Sequence, residues 1–367
     1  MNSLVDFFKK KVKLIRLGRL TMPEDSPPVD MTRILLNPRN ILVIPYNRMG
    51  TILLATRVFK TIRDRFPAAK ITAAVHSAWG VLIQNDPTIN EVLTFGDEIE
   101  NPHSTKFQSI GESLAGRQFD LAFFLSFQFD LNMAYLTRLS NAALRVAFRN
   151  DNEYSFFNVE IVPASGNRYE VDRYLEMFHT LGIPGSFRDY TMTVSPAIRE
   201  KVRLRYFPGG HDPLKNVIIG FDLTKETVGE PISRKNAEAV VKVLVNELEA
   251  TAIVFYEPGK RHVASSLKEV FGKKIMLIED RPVSMVAGLL SLCSFVVTHN
   301  TDLFQLAVAL KIPVMSILTK KEMVQWSPGE NEHIIHIERS ALAWPSSAII
   351  FQTAKKLLKQ KRQEKIV

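Results

Sequence analysis

The sequence predicts an α/β protein of doubly wound parallel sheets, and three observations carry the prediction. Short apolar and β-branched runs recur along the chain and alternate with longer segments whose apolar residues fall at helical spacing. The short runs are continuously apolar rather than alternating, as expected of strands covered on both faces. At 367 residues the chain is long for one core and suits two domains.

Residues 1–20 place Leu4, Phe7, Phe8, Val12, Leu14, Ile15 and Leu17 among six Lys/Arg. Such a basic amphipathic segment suits an anionic membrane surface or a face packed on the protein itself, and both readings stay open. Residues 22–30, with three prolines and three acids, read as a linker. The first strand is expected over 41–44, followed by a turn over 45–50 and a helix over 51–66 with Leu53, Leu54, Val58 and Ile62 inward. Strands follow over 71–75, 91–95, 121–125 and 144–148, with helices over 79–84 and 130–139. The alternation then repeats. Strands are expected over 217–221, 253–256 and 275–278, and Ser233 suits the cap of a helix running to about 249.

The most organised stretch is 283–318. It reads as helix, strand (294–297), polar turn (298–302), helix (303–310) and strand (314–318), with Pro313 ending the second helix. Asn300 or Thr301 suits the N-cap. The free N–H groups and positive dipole end of such a helix can hold a phosphate, or the polar residues can serve only as a cap. The pattern leaves both open. A last helix is expected over 345–360. The domain division expected is 1–39 for the basic segment and linker, 40–190 and 191–344 for two Rossmann-like halves, and 345–367 for the terminal helix.

Composition narrows the function. With 46% hydrophobic and 23% charged residues the chain is globular rather than disordered. One cysteine, Cys293, rules out an internal disulfide and suits a reducing compartment, and it reads as a small core residue. One Cys and eight scattered His build no zinc framework. The net charge of +9 favours anionic partners. Its basic residues are scattered among acids with no aromatic-basic motif, which argues against nucleic acid. No apolar run reaches the ~18–20 residues of a membrane span, and no signal peptide is apparent, so the cytoplasm is expected.

Several segments resemble, in order, the ADP-heptose:lipopolysaccharide heptosyltransferases of glycosyltransferase family nine. Met49-Gly50-Thr51-Ile52-Leu53-Leu54-Ala55-Thr56 is similar to the family's Leu-Gly-Asp-x-Leu-Leu-Ala-Thr turn. His299 to Pro313, through Leu306-Ala307, is similar to its Asn-Asp-Thr-Gly-Pro-x-His-Leu-Ala-Ala-Ala-Leu-Gly-x-Pro knot. Between them lie Arg65-Phe66-Pro67, Asn85-Asp86-Pro87, Phe119-Asp120-Leu121, Arg138-Leu139-Ser140 and Tyr169 to Tyr174. The resemblance covers roughly residues 40–340. It implies a GT-B build, two Rossmann-like domains facing a cleft, with the acceptor on the first and a nucleotide-sugar donor on the second.

The implied activity is transfer of a heptose or similar sugar, from an ADP-sugar foremost, to lipopolysaccharide or another anionic envelope glycolipid. It would need no cofactor. No Asp-x-Asp pair is present, so a metal-independent site is expected, with contact at the inner membrane surface in keeping with the charge. The implied substrate-binding set is Asn47, Arg48, Gly50, Thr51, Lys225, Asn300, Thr301, Asp302, Gln305 and Lys320.

The chemical positions depart from the family pattern. The family's presumed base is Thr51 here, and a threonine hydroxyl is no base near neutral pH. The knot's Asp, Gly and His are Asn300, Asp302 and Gln305. The diphosphate-contacting Lys or Arg before Trp-Pro has no counterpart at the same spacing, with Lys225 nearby and Glu230 in the Trp position. The Phe-Gly-Pro-Thr turn is Leu318-Thr319-Lys320-Lys321, and Trp326-Ser327-Pro328 keeps the Trp-x-Pro. Either another carboxylate such as Asp130 or Asp222 is the base, or the donor differs, or the chain is a catalytically silent relative that binds or scaffolds in envelope assembly.

Overall fold

A computed structural model describes residues 29–150, 156–185, 192–208, 216–224, 232–279, 281–340 and 344–364. The basic segment over 1–20, the linker over 22–28 and Lys225 lie outside these residues. Val29 and Asp30, the described end of the expected linker, are not helical, and a short helix that the sequence reading did not name follows them. Helix α1 (Met31–Leu36) starts at Asp30, whose carboxylate accepts from the Arg33 N–H at 3.0 Å. Arg65 ties it down by donating to the Leu35 carbonyl at 3.3 Å. A one-turn helix of this length carries too little apolar periodicity to stand out in a sequence.

Two six-stranded, wholly parallel sheets follow. The first holds β1 (Asn40–Pro45), β2 (Lys70–His76), β3 (Glu91–Phe95), β4 (Leu121–Leu125), β5 (Leu144–Phe148) and β6 (Val159–Ile161), in the order β3-β2-β1-β4-β5-β6. The second holds β7 (Ile218–Leu223), β8 (Thr251–Tyr256), β9 (Ile275–Glu279), β10 (Phe295–Thr298), β11 (Val314–Leu318) and β12 (Ile334–Glu338), in the order β12-β11-β10-β7-β8-β9. Each is a doubly wound sheet whose strand order reverses at its centre, between β1 and β4 and between β7 and β10. The outermost strands β6 and β12 were not expected from sequence. Both sit at sheet edges and are only partly buried, so the apolar run that marks an interior strand is missing.

The helices sort by sheet face. In the first half α2 (Met49–Arg65) follows β1 and α3 (Ser77–Gly80) follows β2. Helices α4 (Thr105–Ala115), α5 (Leu131–Leu139) and α6 (Glu170–Thr180) complete the half. Alternation along β1 splits the core: Ile41 and Val43 face α2 and α6, whereas Leu42 and Ile44 face α4 and α5. In the second half α7 (Pro196–Tyr206), α10 (Val283–Leu290) and α11 (Asp302–Ala309) cover one face. Helices α8 (Arg234–Lys242), α9 (Arg261–Phe271) and α13 (Ser347–Glu364) cover the other, and α12 (Lys320–Trp326) follows β11. The terminal helix buries Ile350, Ala354 and Leu357 at helical spacing.

The two halves share one apolar core. Leu53, Leu54 and Val58 of α2 belong to the same continuous cluster as Leu303, Phe304 and Ala307 of α11, and α2 packs directly against α11. That contact brings the turn after β1 to the turn after β10. Both turns lie at carboxyl ends of central strands, where doubly wound sheets form their binding crevice.

Candidate functional site

The first wall of the crevice is the turn Tyr46–Arg48 and the start of α2. The helix begins without a side-chain cap, because its N-cap residue is Arg48. Thr51 turns its hydroxyl back on the turn, 2.8 Å from the Tyr46 carbonyl and 2.9 Å from the Arg48 carbonyl. It is thus a buried donor to backbone, and its own geometry gives it no role as a proton acceptor. Asn47 has a buried side-chain oxygen with no hydrogen-bond partner.

The second wall is the turn after β10. Thr301, not Asn300, is the N-cap of α11, accepting from the Phe304 N–H at 3.3 Å. The turn is fixed from below by Asp222, only 2% exposed on β7. One oxygen of Asp222 accepts from the Thr224 N–H at 2.8 Å and the Thr224 hydroxyl at 2.7 Å. The other accepts from the hydroxyls of Thr298, at 2.6 Å, and Thr301. His299, equally buried, lies 3.6 Å from the same oxygen.

Asn300 points the other way. It donates to Glu322 of α12 at 3.3 Å. Glu322 also accepts from the Thr319 N–H at 2.8 Å, making a capping box, and sits 3.3 Å from Arg339. Gln305 donates to the Trp326 carbonyl at 2.9 Å, which ties α11 to the end of α12. Lys320 and Lys321 stand exposed at the start of α12.

The two walls meet at Asp302. Its carboxylate lies 3.1 Å from an Arg48 nitrogen and accepts the Gly50 N–H at 3.3 Å. Gly50 makes this approach possible. A Cβ there would stand 2.8 Å from the Asp302 oxygen and 3.2 Å from Gln305 Cγ. Arg48, Gly50, Asp302 and Gln305 are thereby brought together, with Thr51 adjoining and Asn300, Thr301 and Lys320 on the second wall. Asp130 is placed elsewhere. It caps α5, accepting from the Asn132 and Met133 N–H groups at 3.0 and 3.1 Å, on the sheet face away from α2.

Three groups were not singled out from sequence. Glu170 is 5% exposed, and burial pushes its carboxyl above the usual carboxylate range, against the pull of Arg173 at 3.0 Å. Gln325, on the other half, pulls in the same direction as Arg173. Arg173 lies 3.6 Å over the Phe127 ring, which in turn stacks on Phe148 and Tyr174. The run Tyr169 to Tyr174 offered a signal, but one that named no role. His336, the third, bonds both Ser316 and Ser327. Its two hydroxyl partners come from different elements, so no spacing could reveal them.

The buried histidines set a pH dependence. Burial lowers the pKa of both His299 and His336 below the ordinary 6.5. The unfolded chain then takes up protons that the folded chain refuses. Stability is full above about pH 6.5 and falls as pH drops toward the folded values, by up to ~1.4 kcal/mol per pH unit for each histidine. Glu170, raised rather than lowered, works in the opposite sense over the range above 4.5. Urea midpoints at pH 7.5 and 6.5 should differ little and the midpoint at pH 5.5 should be lower, and a midpoint unchanged down to pH 5.5 would contradict this assignment.

Two Rossmann-like halves that face each other at their strand carboxyl ends define the class of fold, the GT-B build. Similar solved structures agree with that. The glycosyl transferase family 9 structure from Veillonella parvula DSM 2008 superposes with a TM-score of 0.76 at 14% identity, covering 89% of this chain and 99% of that one. The E. coli ADP-heptose LPS heptosyltransferase II gives 0.73 at 17% identity over 88% and 99%. The E. coli heptosyltransferase WaaC with ADP gives 0.65 at 15% identity over 87% and 99%. No protein-family model and no curated protein matches the sequence. The fold of this chain is therefore the fold of the solved heptosyltransferases. Among the described residues, no helix is long and apolar enough to cross a membrane.

Proposed function

We propose that the chain is a glycosyltransferase of the family-nine type. It moves a sugar, heptose or similar, from an ADP-sugar to an anionic glycolipid acceptor. One observation carries the reading: the whole chain length of a heptosyltransferase solved with ADP is matched by this fold. In this reading the donor lies on the second half, at the carboxyl ends of β7, β10 and β11. The turn 298–301 and the start of α12 flank it there. Lys320 and Lys321, with Lys225, supply positive charge to the diphosphate as its bond to the sugar breaks. The acceptor lies on the first half beside Arg173 and its aromatic platform. Arg173 offers a planar cation suited to an anionic acceptor group. The division into 40–190 and 191–344 belongs to this proposal, as does contact of the basic segment over 1–20 with a membrane surface.

A specific observation favours a second reading. Among the described residues, the carboxylates at the meeting of the walls are all engaged: Asp222 by four donors, Asp302 by Arg48, Glu170 by Arg173 and Glu322 by Arg339. A chain with no carboxylate at liberty to take the acceptor's proton would bind donor or glycan without turnover.

A thermal-shift series with ADP, UDP, GDP, CDP and their sugar conjugates tests both, paired with detection of ADP released from ADP-heptose in the presence of glycolipid acceptors. A ligand bound only by the folded state, present at 100 times its Kd, contributes about 2.7 kcal/mol. A shift with ADP-sugar plus acceptor-dependent ADP release supports the transferase. A shift without release supports the silent binder. No shift with any nucleotide at millimolar concentration rejects the transferase and leaves the silent relative only as a binder of glycan or protein.

A further inference from the structure

We propose that Asp302 is an autoinhibitory latch, an internal carboxylate that occupies the place of a ligand's anionic group and closes the crevice on itself. The contact joins the two halves across 254 positions of sequence. One oxygen of Asp302 takes both the Arg48 guanidinium and the Gly50 N–H at the start of a 17-residue helix that has no side-chain cap. These are the donors that would otherwise face an incoming phosphate or carboxylate. An anion approaching them now meets a like charge about 3 Å away, and like charges at that range cost several kcal/mol when partly shielded from water. The latch is also weak enough to open. Arg48 and Asp302 keep side-chain exposures of 33% and 30%, and ion pairs this exposed contribute ~0.2–1 kcal/mol. A second observation marks the same turn as unrelaxed in the closed state. The Asn47 oxygen beside Arg48 is buried without a partner, an arrangement that a shift of the turn would relieve. Opening exchanges the internal carboxylate for an anionic group of the ligand, with Arg48 retained as its partner. The inference does not depend on the ligand being a nucleotide-sugar.

The experiment is isothermal titration of the full chain with inorganic pyrophosphate at low ionic strength. It compares the wild type with Asp302→Ala, Asp302→Ala combined with Arg48→Gln, and Asp64→Ala. Asp64 lies on the same helix about 21 Å farther along its axis, at 1.5 Å per residue, and matches the charge change without touching the latch. Asp302→Ala should bind pyrophosphate more tightly than the wild type by up to about 5-fold, which is ~1 kcal/mol of opening cost at about 1.4 kcal/mol per tenfold. Adding Arg48→Gln should remove the gain, and Asp64→Ala should leave the wild-type affinity unchanged. The proposal is overturned if Asp302→Ala binds no better than the wild type, including the case in which neither binds. It is equally overturned if the double variant keeps the gain or if Asp64→Ala reproduces it. Should Asp302→Ala fail to fold, Asp302→Asn replaces it in the same comparison with the same outcomes.

Discussion

Asp222→Ala should lower the unfolding free energy by about 3–5 kcal/mol, the cost of removing one member of a buried polar cluster and stranding the rest. The carboxylate is 2% exposed and accepts from one backbone N–H and three threonine hydroxyls. Without it, Thr298 and Thr301 lose their shared acceptor, and the turn that starts α11 loses the post it is tied to. His299 loses the carboxylate that stands 3.6 Å from it. Urea unfolding followed by far-UV circular dichroism reads the loss as a lower midpoint at unchanged slope. Asp222→Asn keeps one carbonyl oxygen and should cost appreciably less. Equal midpoints for wild type and Asp222→Ala would show that the cluster contributes nothing, and would return Asp222 to the list of candidate bases.

Glu322→Ala is the second large effect, again about 3–5 kcal/mol, because it leaves the Arg339 guanidinium without the carboxylate beside it. Both side chains are 11% exposed and stand 3.3 Å apart. The same substitution removes the capping box of α12 and the acceptor of the Asn300 amide. It therefore loosens both the start of α12, where Lys320 and Lys321 project, and the turn before α11. The stability loss should be accompanied by weaker nucleotide binding if the donor lies there. Combining Glu322→Ala with Arg339→Met, which removes the stranded charge, should recover part of the stability. Failure to recover any would place the loss in the cap rather than in the ion pair.

The sequence and the structure divide the information about this site unevenly. The central strands were legible because they are continuous apolar runs, covered on both faces. The capping role of Thr301 was legible to within one residue, and Ser233 does cap α8, accepting from the Asn236 N–H. The edge strands β6 and β12 were not, since half of each faces outward. Helices α4, α6, α7, α9 and α12 were missed as well; α7 and α12 each bury a single residue, Val202 in one and Glu322 in the other, whereas α4, α6 and α9 bury several that the reading of strands and turns passed over. Asp130 and Asp222 look alike as isolated acids in a sequence. In the fold, one caps a helix on the far layer and the other is the hub of a buried hydroxyl cluster.

The sequence by itself determined the α/β class, the repetition of two halves and the strand–turn–helix units that present Gly50 and Thr301 at helix starts. Those properties are local: they follow from apolar spacing, caps and breakers within about 20 residues. Only the tertiary structure decided that Asp302 reaches Arg48 and that Asp222 holds Thr298 and Thr301. Those partners lie between 76 and 254 positions apart along the chain where the separation is defined by a direct bond. No periodicity records which carboxylate meets which donor. Apolar packing of α2 on α11 fixes how the two halves are seated, and the polar pairs at the crevice follow from that seating.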